Sequence, residues 1–207
     1  MSLYFPLFLD LNRAPLVVIG GNRNAQDKIE KLLPFTSKIT VLTDAPLSNL
    51  PKQVQIMPIP ASICAFLAEH RPNIVILADP SVTPAEPIYQ FCQQNNIHLN
   101  TVDQPEYCTF FFPSLLQRGN LTVAISTAGA SPAAAVKIKQ EIESTLPASI
   151  EEILDWLAEL RPILKQRSDL TSAQRTKIYR TLVDLSFAED RPLNPEETES
   201  VLRSILP

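Results

Sequence analysis

The chain has 207 residues, 45% of them apolar, so it can bury a core of its own and suits one large domain or two small ones. Its 18 basic against 22 acidic side chains leave a formal net charge of -4 and a pI near 5.3, which argues against a nucleic-acid partner but not against a local basic pocket for an anionic ligand. No apolar stretch approaches the roughly 20 residues of a membrane span, the opening MSLYFPLFLDL lacks a basic region and a small-residue cleavage site, and Cys64, Cys92 and Cys108 without a CxxC pair suit a reducing cytoplasm.

Proline is abundant and spread, 19 residues against 4 glycines, which implies short, firmly punctuated elements. No internal repeat is present. Leu16-Val17-Val18-Ile19, closed by Gly20-Gly21, is a continuous apolar run of the kind that forms a strand buried on both faces. A helix is expected over Ala25–Leu33, strands over Ile39–Leu42 and Val54–Ile59, a helix over Ala61–Glu69, and a buried strand over Ile74–Ala78. A helix over Ala85–Asn95 and a strand over Ile97–Val102 complete the first half. Strands alternating with helices imply parallel βαβ units with right-handed crossovers, hence an α/β, Rossmann-like doubly wound sheet over residues 1–112.

The pattern then changes. Phe110–Leu116 and Leu121–Ser126 read as strands joined by the tight turn Arg118-Gly119-Asn120, a β-hairpin. From Ser131 onward the signals are helical. Ser131-Pro132 is a capping hydroxyl before a first-turn proline. Ser149 with Glu152, Thr171 with Gln174, and Asn194 with Glu197 have capping-box spacing. Ile150, Ile153, Leu154, Leu157, Leu160 and Leu164 form one apolar stripe, either core or subunit contact, and Trp156 lies off it as a packing residue. The expected division is 1–112, then a hairpin and helix over 113–147, then an all-helical part over 148–207.

Several stretches are able to carry chemistry. Gly20-Gly21-Asn22-Arg23-Asn24-Ala25 follows a strand and opens a helix, where a dinucleotide pyrophosphate meets a tight turn and a helix N-terminus. Asn22 stands where a glycine would let the backbone approach phosphate. Its amide tolerates left-handed backbone but crowds an anion. Thr43-Asp44 ends the second strand, and Asp44 is either a ribose acceptor or a turn former. Asp103 follows the last strand at the carboxyl edge, where it is either a general base or the start of an Asp-Gln-Pro turn. Ser126, Thr127, Gly129 and Ser131 form a small, hydroxyl-rich loop before a helix, both a cap and an anion site. His70 and His98 have no ligand-like neighbours, and the cysteines make no zinc motif.

Together these stretches resemble the precorrin-2 dehydrogenase and sirohydrochlorin ferrochelatase family, the N-terminal module of siroheme synthase. The resemblance runs through Tyr4-Phe5-Pro6-Leu7-Phe8-Leu9-Asp10-Leu11, Val18-Ile19-Gly20-Gly21, Asn100-Thr101-Val102-Asp103, Glu106-Tyr107-Cys108-Thr109-Phe110 and Phe112-Pro113. Its most specific part is Arg118 through Thr127 followed by Gly129-Ala130-Ser131-Pro132. It implies oxidation of precorrin-2 to sirohydrochlorin with NAD, and some members also insert ferrous iron. It implies a Rossmann domain, a central dimerisation segment, a helical C-terminal part and a homodimer with its active site in the cleft between these parts. It places the catalytic aspartate at Asp103. The cofactor falls to Gly20, Gly21, Asn22, Arg23, Asn24, Thr43, Asp44, Ala78 and Asp79. The tetrapyrrole falls to Ser126, Thr127, Gly129, Ser131 and Arg118, with Lys137 and Lys139 as further charge or as solvated surface.

Three departures lie on the cofactor side. Asn22 replaces a glycine, Asp27 stands where an arginine is expected before Lys28, and Ala78-Asp79-Pro80-Ser81 replaces a Thr-Asp-Asp segment. An acidic Asp27 disfavours a 2′-phosphorylated cofactor, so NAD is expected over NADP. The alternatives are a sirohydrochlorin chelatase with little dehydrogenase activity and a non-catalytic tetrapyrrole-binding protein on the same scaffold.

Overall fold

The Leu16–Ile19 run forms β1, the centre of a parallel sheet with strand order β3-β2-β1-β4-β5. The other strands are β2 (Ile39–Leu42), β3 (Gln55–Met57), β4 (Ile74–Leu77) and β5 (His98–Thr101). The computed structural model describes residues 4–45, 47 and 50–205, so the first three residues of the opening stretch read above lie outside it. β1, β2 and β4 are buried along their whole length, which is why their sequences run apolar without alternation. Period-two geometry sends Val17 and Ile19 to one face, with Leu67, Ile88 and Leu99, and Leu16 and Val18 to the other, with Ala25, Ile29 and Ile76. Each fully buried Leu, Ile or Val contributes about 1.5–3 kcal/mol relative to exposure. The α/β, Rossmann-like expectation is met.

Helix α1 (Arg23–Leu32) covers the second of those faces; α2 (Ile63–His70) and α3 (Ala85–Gln94) cover the first. α2 starts at Ile63 rather than Ala61, because the Ser62 hydroxyl caps it by accepting the Ala65 N–H. β3 is shorter than the expected 54–59. Phe5–Phe112 forms one compact unit, and the chain from Pro113 onward belongs to a second.

In the second unit β6 (Ser114–Arg118) and β7 (Leu121–Ile125) form the antiparallel hairpin. Phe110–Pro113 is not strand, a correction to the expected 110–116. The Phe110 carbonyl accepts from Asn100 Nδ2 (3.0 Å), and Phe110 and Phe112 pack as side chains on the α1 face of the first unit. Four helices follow: α4 (Pro132–Thr145), α5 (Ile150–Gln166), α6 (Ser172–Ala188) and α7 (Pro195–Ile205). Leu164, Leu170, Ile178, Leu182, Val201 and Leu202 form their core, with Trp156, Leu157 and Leu160 against it.

The cap signals at Ser131, Thr171 and Asn194 are all used: each side chain accepts a first-turn N–H, and the last two make reciprocal boxes with Gln174 and Glu197. Ser149 is the exception. It makes no cap bond; its hydroxyl bonds to the Asp190 carbonyl and carboxylate, a partner far along the chain.

Candidate functional site at the carboxyl edge of the sheet

The ends of β1, β2 and β4 converge on Gly20 and Gly21. Gly20 N–H donates to the Leu42 carbonyl (2.9 Å), and the Ile19 carbonyl accepts from both Ala78 (2.9 Å) and Asp79 (3.2 Å). Gly20 has φ +116°, and a Cβ there would lie 2.5 Å from Asp79 Cβ and 2.9 Å from Asp79 N. A Cβ on Gly21 would run into the Thr43 hydroxyl and lie 2.9 Å from Ala45 Cβ. The turn is therefore bare backbone because there is no room for anything else.

Asn22 corrects the sequence reading. It is not in left-handed backbone (φ -84°, ψ -178°), and its Oδ1 caps α1 by accepting the Ala25 N–H at 3.0 Å. Intrahelical bonding leaves the first-turn N–H groups without helical partners, so the cap leaves those of Arg23 and Asn24, both exposed residues, for an anion. Thr43 is buried and closes a local turn: its Oγ1 accepts the Ala45 N–H (3.0 Å) and lies 3.3 Å from the Ala45 carbonyl. Asp44 is exposed and one of its oxygens accepts the Ile59 N–H (3.1 Å), so the turn and ribose readings of it both stand. Ala78 is fully buried; Asp79 is half-buried and accepts from Ser81 N (3.1 Å) and Oγ (2.6 Å). In the same unit, a cavity of about 280 Å3 lies where α2 and α3 begin, lined by Ile59, Ser62, Val82, Thr83 and Ile88 among others.

Asp103 follows β5 at this same edge. It is exposed, it sits at φ +59°, and among the described residues no cation lies within ion-pair distance of it. Two neighbours went unnoticed as functional in the sequence. Lys28 is half-buried with its Nζ 4.0 Å from the centre of the Phe112 ring. Burial lowers its pKa and Lys31 adds to this, while Cys108, Asp27 and Asp103 pull it back up. Its one sequence signal is that it sits between the buried positions Ala25 and Ile29. Cys108 is half-buried in hydrogen bonds, whereas Cys92 packs as a small apolar side chain: it is fully buried and desolvation pushes its thiol up to about 12.

The hydroxyl loop lies in the second unit. The Ser126 hydroxyl accepts the Ala128 N–H (3.2 Å), that of Ser131 accepts Ala134 N–H (3.1 Å), and Thr127 Oγ1 bridges the Ser131 N–H and carbonyl. Ala128 (φ +51°) and Gly129 (φ +84°) turn the chain, and a Cβ on Gly129 would meet nothing within 4 Å. Arg118 is partly engaged: its Nε donates to Glu151 (2.7 Å) and an Nη to the Ala148 carbonyl (2.8 Å). Lys137 pairs with Glu141 at 3.4 Å. His70 stacks on Phe66 with ring centres 3.8 Å apart, and His98 meets Phe110 edge-on. Among the described residues no group of His, Cys, Asp or Glu could hold a metal ion.

A family described as putative NAD(P)-binding matches residues 7–114, and one described as sirohaem biosynthesis protein central matches residues 118–145. The chain belongs to the first of these, the family described as putative NAD(P)-binding. A siroheme synthase of Vesicomyosocius okutanii subsp. Calyptogena okutanii is 30% identical over 166 residues, 79% of this chain and 36% of that protein. One of Mannheimia succiniciproducens is 29% identical over 190 residues, 89% of this chain and 39% of that protein. The chain thus spans 36% and 39% of the length of these two curated relatives. A solved structure titled SirC, precorrin-2 dehydrogenase, matches in fold with a TM-score of 0.72 at 20% identity, covering 98% of both chains.

Proposed function

We propose that this chain oxidises precorrin-2 to sirohydrochlorin with NAD. The observation that carries the reading is the bare Gly20-Gly21 turn packed against Asp79 and Thr43, with Asp103 exposed at the same sheet edge. NAD fits the residues present. The Gly20-Gly21 turn brings bare backbone to the strand ends; the Arg23 and Asn24 N–H groups suit the pyrophosphate, the second oxygen of Asp44 a ribose hydroxyl, and Ala78 and Asp79 the far end of the same edge. Asp44 and Asp27 disfavour an additional 2′-phosphate, so NAD is preferred over NADP.

The oxidation removes two hydrogens, one with its electron pair, which NAD supplies the capacity to accept, and one as a proton. Asp103 takes that proton on a carboxylate oxygen, and its exposure gives a bulky substrate access. Ser126 and Ser131 use their lone pairs on backbone N–H groups, so each O–H proton is left to donate to a substrate carboxylate. Thr127 shapes the loop, and Gly129 keeps it open. Arg118 spends Nε on Glu151 and one N–H on the Ala148 carbonyl, which leaves its remaining N–H groups for a substrate carboxylate.

We further propose a division into residues 1–112, 113–147 and 148–207, with a homodimer formed through 113–147. Val136 and Ile138 support it, since both stand exposed on α4, at 46% and 40%. The three free cysteines support a cytoplasmic setting. A second reading, insertion of a metal ion into sirohydrochlorin with little dehydrogenation, is favoured by Asn22 having already taken one phosphate-binding N–H. Anaerobic turnover of precorrin-2 by the wild-type chain, against Asp103→Asn, tests the leading reading: NADH appears with the first and not with the second.

A further inference from the structure

Asp103 holds a left-handed backbone conformation (φ +59°), which aspartate adopts more readily than most residues but which its surroundings still select. Its neighbours in sequence show how. The Cys108 sulfur lies 3.2 Å from Thr101 N, 3.2 Å from the Thr101 carbonyl, 3.5 Å from the Gln104 carbonyl and 3.7 Å from Asn100 Nδ2. Thr101 and Gln104 flank Asp103, so both arms of its turn are tied to one atom. Burial pushes the Cys108 thiol up, so it keeps its proton. The lone pairs accept from Thr101 N–H and Asn100 Nδ2, which leaves the single proton to donate to the Gln104 carbonyl and so join the two arms, the Thr101 carbonyl being its other acceptor.

The rest of the loop is closed around this point. Tyr107 N–H donates to the Gln104 carbonyl (3.1 Å), Cys108 N–H to Pro105 (3.1 Å), and Thr109 N–H to Leu99 (2.8 Å). Three buried side-chain atoms in the same knot, Asn100 Oδ1, Thr101 Oγ1 and Gln104 Oε1, have no partner among the described residues.

We propose that Cys108 is a positioning residue that sets the Asp103 backbone, and so aims its carboxylate, by joining Thr101 and Gln104 through its sulfur. This rests on Asp103 acting as the proton acceptor. The thiol itself takes no part in the chemistry.

The test compares wild type, Cys108→Ala and Cys108→Ser, by backbone hydrogen exchange and by turnover of precorrin-2 with NAD. In Cys108→Ala, exchange across residues 101–107 rises by about tenfold or more while α1 and α3 keep their protection. In the same variant kcat falls about tenfold while the KM for NAD stays within about twofold, because a displaced base slows the reaction without touching the cofactor turn. Cys108→Ser, which keeps a donor and acceptors, restores most of both. Unchanged exchange at 101–107, or loss of protection across the whole sheet without rescue by serine, overturns the proposal. If the wild-type chain does not oxidise precorrin-2, the functional reading fails, and the exchange result alone still decides whether Cys108 holds the turn.

Discussion

Replacing Gly20 by alanine separates backbone strain from close packing. At φ +116° any side chain is strained, which costs about 1–3 kcal/mol. The new Cβ would also lie 2.5 Å from Asp79 Cβ and 2.9 Å from a backbone nitrogen that is itself bonded to Ile19, so neither neighbour is a flexible tip that can swing away. Overpacking of that kind costs a further amount of about 1–3 kcal/mol. The expected total is about 2–6 kcal/mol, a large share of a typical domain stability of about 5–15 kcal/mol. Gly129→Ala supplies the control: it has φ +84° but nothing within 4 Å of the new atom, so only strain is expected, about 1–3 kcal/mol. Gly21→Ala supplies the reverse, packing against Thr43 and Ala45 without the positive φ. Urea unfolding followed by circular dichroism gives the three losses. A Gly20→Ala loss no larger than that of Gly129→Ala refutes the claim that the strand ends close on this turn.

Asp103→Asn keeps a side chain that tolerates left-handed backbone, so its melting temperature stays at the wild-type value while turnover falls by about 100-fold or more; an equal loss of both would make Asp103 structural. The Arg191 guanidinium and the Asn194 N–H hold Glu197 down at about 2 from its ordinary 4.5. A lowered carboxylate pKa stabilises the fold above 4.5, and that contribution disappears as pH falls towards 2. The thermal advantage of wild type over Glu197→Gln is therefore constant above pH 4.5 and shrinks below it; an advantage that persists at pH 2 contradicts the assignment. Val136→Glu on the exposed face of α4 converts the proposed dimer to monomer with unchanged helix content, read by light scattering, and a wild-type monomer contradicts the dimer.

Much of the fold was legible because the strands are buried on both faces, which writes them as unbroken apolar runs. The caps were legible for a similar reason: Ser131, Thr171 and Asn194 bond within three residues of themselves. The misses are long-range. Phe110-Phe111-Phe112 is as apolar as a strand, and the Asn100 bond to the Phe110 carbonyl shows that its backbone is engaged elsewhere. Ser149 has cap spacing, yet its partner is Asp190, and the pairing of Arg118 with Glu151 has no local signal either. At the site, the glycine turn and the exposed aspartate could be read from their positions after strands. The Cys108 knot and the half-buried Lys28 could not, because each acquires its surroundings only when β5, α1 and the loop after Asp103 are brought together.

The central claim is tested most directly by incubating the chain anaerobically with enzymatically generated precorrin-2 and NAD, and following NADH together with the sirohydrochlorin spectrum. Equimolar NADH and sirohydrochlorin, formed by wild type and not by Asp103→Asn, is the predicted result. No NADH, with accelerated insertion of ferrous or cobalt ion into supplied sirohydrochlorin, would contradict the dehydrogenase and leave the metal-inserting reading in its place.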